Sequence, residues 1–264
     1  MGQRLTALVA ALAVGFGFSL PARAAADQSE VERTSRKALA FFEGHNDETI
    51  DAFLMRLRPG PLDEASRAKV IASLPSEGNV RPSRKDGEKL SAAQRILDYS
   101  ARSGVVTIRV VDLDSAFVGL YYRTVVLVSA KALSLLAADE LAALVAHEMG
   151  HDDDWNEYWT AMQAHDSEKM RELELRADGL GVLTLEHVGI SPERLVSAVQ
   201  KMMRYNDWRD RSAGATPQPG MGPTGDRYVS LDDRLAFIHA VARIRWADWP
   251  ATVAVTAGLG PERR

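Results

Sequence analysis

The chain has 264 residues, 46% hydrophobic and 26% charged, with 11 Pro and 19 Gly, proportions that exclude a collagen, a long disordered chain and a simple coiled coil. A formal charge of −4 argues against nucleic acid as the main partner, because phosphate binding calls for a basic patch. There is no cysteine, so disulfides, thiol nucleophiles and thiolate metal sites are excluded.

Residues 1–24 read as a secretory signal. Arg4 is the positive start, residues 5–20 are uncharged, Pro21 breaks the helix, and Ala22-Arg23-Ala24 is the small-x-small pattern of a cleavage site. An uncleaved anchor is the alternative, since the uncharged stretch approaches the shortest length that spans a bilayer. Cleavage would remove Arg4 and Arg23 and leave a chain two charges more negative. No later segment offers about 18 consecutive apolar residues. The expectation is therefore an exported protein, periplasmic or secreted, with no integral span after signal removal and only peripheral membrane association open to it.

Three helical patterns follow at 29–43, 47–57 and 62–74, with apolar residues such as Ala38, Leu39 and Phe42 at helical spacing. The polar, Pro- and Gly-bearing stretch at 75–87 reads as a loop and the best internal boundary. It separates an N-terminal helical region (25–87), expected to pack on the core, from a domain at 88–264. A helix is expected at 88–102. The β-branched runs at 105–111 and 123–128 are the convincing strands. Helices are then expected at 131–151, 155–187, 191–205 and 230–246, the third opened by Ser191-Pro192-Glu193. Residues 207–228 hold four Gly and three Pro and read as a loop. The fold class is α+β, mostly helical, with a small sheet just before one very apolar helix.

That helix carries the chemistry. Residues 147–151 read His-Glu-Met-Gly-His, and histidines at i and i+4 share a helix face, so both rings can reach one metal ion. Glu148 points about 100° away, where it can take a proton from water at the metal without ligating the ion. The preceding run Leu-Ala-Ala-Leu-Val-Ala at 141–146 is apolar all round and so expected to be buried. Burying His147, Glu148 and His151 at its end is costly unless a metal and its water satisfy them. The alternative is a helix end emerging into solvent, marked by Asp152-Asp153-Asp154.

A zinc hydrolase site needs a third protein ligand and an open position for water. Glu174 and Asp178 are spaced i, i+4, with Gly181 on the same face and Ala177 beside it, small residues that allow close approach to the metal helix. Glu174 is assigned as the third ligand and Asp178 as the carboxylate orienting a ligating histidine. Glu172 and His165 are rival ligands, and a solvated acidic face paired with Arg171 and Arg176 is the plainer alternative. His45, His187 and His239 are isolated.

Over most of residues 105–245 the sequence resembles the zinc metallopeptidases that include HtpX and the CAAX prenyl endopeptidases, a gluzincin group. The resemblance rests on Ser115-Ala116-Phe117, similar to that family's Asn-Ala-Phe stretch, and on Val125–Val128 with the 139–144 run leading into His147–His151. Glu174-Leu-Arg-Ala-Asp178 is similar to its E-x-x-A-D ligand motif, and Ser230–Arg234 to its closing "HPS…R" segment. It implies a zincin-like metallopeptidase domain with a small sheet beside the HExxH helix, of the exported, soluble bacterial type. Two positions depart from the family: Ser115 replaces Asn, and Tyr228-Val229 replaces His-Pro. Tyr228 is read as a neutral donor to the developing oxyanion, with a loop-anchoring tyrosine as the alternative.

The function expected is a zinc endopeptidase of the cell envelope. It would hold one Zn²⁺ per chain at His147, His151 and Glu174, use Glu148 as general base, and act on unfolded or flexible protein and peptide segments. The strand at 123–128 is expected to offer a free edge to an extended substrate. A chaperone-like or substrate-binding protein retaining the fold is the alternative, and a hydrolase of cell-wall amides a third.

Overall fold

A computed structural model describes residues 28–74, 79–212 and 229–247. The expected leader at 1–24, Tyr228 and most of the 207–228 segment lie outside these residues. The first described helix is α1 (Gln28–Glu43), followed by α2 (Ile50–Leu57) and α3 (Glu64–Ser73). Thr49 and Asp63 start the two short helices by accepting from the N–H groups of Ala52 and Ser66, which would otherwise lack partners. Within the stretch expected as a boundary loop, Val80 donates its N–H to Val110 at 3.0 Å. A single 3-10 turn, Arg84–Asp86, then leads into α4 (Gly87–Tyr99).

Three strands follow: β1 (Thr107–Val111), β2 (Val118–Tyr121) and β3 (Val125–Ser129). Their order is β1-β3-β2, with β3 parallel to β1 and antiparallel to β2, Leu120 facing Val126 and Tyr121 facing Val125. Alternation divides the side chains between two faces. Val125 and Leu127 join Val111, Phe117 and Tyr121 under Val70 and Ile71 of α3, while Val126, Val128 and Val110 enter the main core. With both faces covered, every residue of β3 is buried. The expected free edge at 123–128 is therefore corrected: β3 is the central strand, and β1 and β2 are the outer ones. Four residues interrupted by Gly119 are too short and too weakly β-forming to register in the sequence pattern.

The remaining elements are helical: α5 (Ala130–Leu135), α6 (Ala138–Asp153), α7 (Trp155–Gln163), α8 (Ser167–His187), α9 (Glu193–Ser212) and α10 (Leu231–Val241). The single helix expected at 131–151 is two helices. Leu136 turns extended and is buried, and Glu140 reaches back to accept the Ala137 N–H at 2.7 Å, starting α6 afresh. Between α7 and α8, His165 adopts φ +54 and Asp166 caps Lys169. The third expected helix extends to Ser212, so residues 207–212 are helical rather than loop. The molecule is thus α+β and mostly helical. The apolar run of α6 packs against α4 and α8, and Phe42, Phe53 and Leu54 from the N-terminal helices share that core.

Candidate metal centre

The centre lies where α6 crosses α8, and small residues permit the crossing. A Cβ on Gly150 would stand 2.8 Å from the backbone Cα and O of Ala177, and one on Gly181 would stand 3.1 Å from the His147 nitrogen. The two backbones therefore nearly touch, and side chains flanking the contact converge across it.

One turn of α6 presents His147 and His151, and α8 presents Glu174. The Nε2 of His147 is 3.8 Å from Glu174 Oε2, and the Nε2 of His151 is 3.6 Å from Glu174 Oε1. Both distances exceed a hydrogen bond. Ligand atoms about 2.1 Å from one zinc ion at tetrahedral angles lie about 3.4 Å apart, close to this spacing. All three residues are buried, and their ligand atoms lie within 4.8 Å of one another, so His147, His151 and Glu174 could hold a metal ion. The donor set, two imidazole nitrogens and one carboxylate, fits the chemistry of such a site.

Behind the ligands runs a chain of charge. Nδ1 of His147 is 2.9 Å from Asp178 Oδ1, which aims Nε2 at the centre. Asp178 in turn accepts from Arg234 Nε at 2.8 Å and Nη2 at 2.6 Å, a two-point clamp supplied by α10. Asp178 and Arg234 are almost entirely buried. Burial alone would raise the Asp178 carboxyl, but Arg234 and His147 outweigh it and hold it at about 2. Burial pushes the Glu174 carboxyl up to about 7, against the opposing pull of His147 and Arg234. Burial disfavours the His147 cation, yet the Asp178 hydrogen bond and charge reverse the balance and leave its pKa raised. His151 has no such partner: burial, then the neighbouring His147, press it well below the usual imidazole value. Its ring is oriented by packing instead, edge-on to His147 at 4.8 Å and tilted on Tyr158 at 4.8 Å.

Glu148, next to His147 on α6, meets the sheet. Its Oε2 accepts the Leu120 N–H of β2 at 2.8 Å. Burial raises its pKa, moderated by His147 and by that N–H. The approach to β2 is fixed from a distance: Asn206 on α9 accepts the Ala116 N–H at 2.9 Å and donates to the Ala116 carbonyl at 3.0 Å, as a neighbouring strand would.

The structure brings together His147, His151, Glu174, Asp178 and Glu148. It does not bring Glu172 there, which pairs with Lys169 at 2.8 Å, nor His165, exposed in the α7–α8 turn. Arg171 and Arg176 pair with Glu30 and with Asp154 and Glu157, not with Glu174 or Asp178. The acidic run that the alternative reading placed at the surface is largely interior. Asp152 is 1% exposed and held by Arg102 at 2.5 Å and Arg123 at 2.6 Å. The sequence reading missed the roles of the Leu120 N–H, Asn206 and Gly150. Gly150, inside the motif, carried a signal in its small size.

No protein-family model matches the chain, and neither a curated protein nor a solved structure matches it. Among the described residues no helix is long and apolar enough to cross a membrane.

Proposed function

We propose that the protein is a zinc-dependent endopeptidase of zincin-like fold, acting in the cell envelope on unfolded or flexible polypeptide segments. The observation that carries this reading is the convergence of His147 Nε2, His151 Nε2 and the Glu174 carboxylate at distances too long for hydrogen bonds, with Glu148 held beside them. Zn²⁺ bound by those three residues would polarise both a water molecule and a scissile carbonyl.

The chain's own residues do the rest. The Leu120 N–H fixes Glu148 Oε2 and leaves Oε1 to take the proton of the attacking water and deliver it to the leaving amine. A pKa raised by burial suits a group that must both accept and release a proton near neutral pH. Asp178, clamped by Arg234, holds His147 in one tautomer and orientation. On β2 the N–H of Leu120 faces away from β3, so the outer edge of that strand is turned towards Glu148, and an extended substrate can lie along it.

The test is digestion of casein by the purified protein, with Glu148→Gln beside it and zinc measured in both. The expected result is cleavage by the wild type, about one zinc per chain in each, and a loss of about 10²-fold or more in the variant. Full activity in Glu148→Gln would remove Glu148 from the mechanism. Zinc in both proteins without turnover of any unfolded substrate would favour the substrate-binding reading.

A further inference from the structure

Beside the metal centre stands a group of aromatic rings that the chemistry above does not use. The Tyr122 ring centroid is 6.4 Å from Trp155 and 5.8 Å from Trp159, and the two tryptophans stack at 6.0 Å with 21° between their planes. Trp155 also stacks on Tyr158 at 6.1 Å, and Tyr158 lies against His151. An aromatic surface thus runs from a metal-site histidine out to a ledge where Tyr122 is 43% and Trp159 36% exposed. Large rings left open to water in one patch mark a surface that something covers.

Two features indicate what covers it. The first is the backbone. Tyr122 and Arg123 both sit in the left-handed region, φ +42 and +57, where glycine or asparagine is the ordinary occupant. The turn is held there by Arg123, whose Nε donates to buried Asp152 at 2.6 Å and whose Nη2 donates to the Gly60 carbonyl at 2.9 Å. With Arg123 drawn inwards, the Tyr122 ring is set against Trp155 and Trp159. The second is continuity with the reacting position. Leu120, which bonds Glu148, is two residues before Tyr122, a span of about 6.6 Å in extended chain. A polypeptide lying along the outer edge of β2 with its scissile bond at Glu148 therefore carries a nearby side chain to the ledge. The rings are in mutual contact, so no cage opens between them for a cation, and the occupant lies across their exposed faces.

We propose that Tyr122, Trp155 and Trp159 form a side-chain subsite selecting polypeptides with an aromatic or large aliphatic residue within two positions of the scissile bond. This rests on the peptidase reading above and deepens it. The test uses quenched-fluorescence peptides that differ only by Phe or Ala at one position, scanned on both sides of the cleaved bond. Wild type, Trp159→Ser and Tyr122→Ser are compared, with thermal unfolding to confirm that the variants fold. At one position the wild type is expected to favour Phe by about tenfold or more in kcat/KM, and the ratio to collapse towards one in Trp159→Ser. The same preference in folded variants would overturn the subsite while leaving the peptidase standing. If nothing is cleaved, dye-labelled peptides bound to Glu148→Gln decide. Tighter binding of the Phe peptide, lost on adding Trp159→Ser, upholds the side-chain preference of the ledge in a protein that binds rather than cleaves, and equal binding overturns it. Trp159-dependent binding to phosphatidylglycerol vesicles without any side-chain preference would also overturn it, in favour of a lipid contact.

Discussion

At Glu174 and Asp178, two carboxylates one helical turn apart, burial is offset to different extents. Burial raises Glu174 from 4.5 to about 7, only partly opposed by His147 and Arg234, whereas Asp178, buried too but clamped by Arg234 and bonded to His147, is lowered from 3.8 to about 2. The stability signs follow. Without metal, Glu174 contributes fully below about pH 4.5, and the contribution is lost as pH rises through about 7. Asp178 contributes above 3.8 and loses that contribution only as pH falls through about 2. A metal at this centre displaces protons from Glu174 and from His147, whose pKa is also raised. Zinc affinity is therefore expected to climb steeply between about pH 5 and 8, measured by competition with a chelator, and a flat profile would contradict this electrostatic picture. His147, Glu148 and His151 were legible because one helical repeat holds them together, and Glu174 with Asp178 because their spacing repeats that turn. The Arg234 clamp was not, because its partner lies 56 residues away on another helix.

The elements matter through the gaps between them. Ala177 backbone atoms lie 2.8 Å from where a Gly150 Cβ would stand, and backbone cannot rotate away. Gly150→Ala is expected to cost about 1–3 kcal/mol in stability and to weaken zinc retention at least tenfold, because α6 and α8 must separate at the ligands. Thermal unfolding and zinc titration would check this, and a variant with wild-type values would show that the crossing is looser than described. The helical stretches were readable from the sequence, since long apolar repeats leave little choice, but the breaks at Leu136 and His165 inside the helices expected at 131–151 and 155–187 were not. The sheet order was not. Val125–Ser129 reads as a strand of any kind, and only the insertion of β2 beside it makes it central. Asn206 was equally hidden, because it supports Ala116 from 90 residues downstream and belongs to no local pattern.

On the scale of the molecule, the N-terminal helices and the metal-bearing helices share one core. Phe42 is fully buried, touches Phe53 and Phe237, and fills the space beside Gly179 on α8. Phe42→Ala is expected to destabilise the whole chain by about 3–5 kcal/mol, with all probes unfolding together. An early, separate melting of the N-terminal helices would instead mark them as an independent unit. That the N-terminal helices pack on the core was expected from the sequence, but the residues that join them to it were not legible, because 75–87 has the composition of a linker. In the fold the same stretch reaches β1 through Val80.

If His147, His151 and Glu174 hold one zinc ion together, zinc X-ray absorption on the purified protein will show it. The expected result is about one zinc per chain by elemental analysis and a spectrum with two imidazole nitrogens and an oxygen shell at about 2.0–2.2 Å. A protein that retains no zinc, or a spectrum with a single imidazole, would contradict the account.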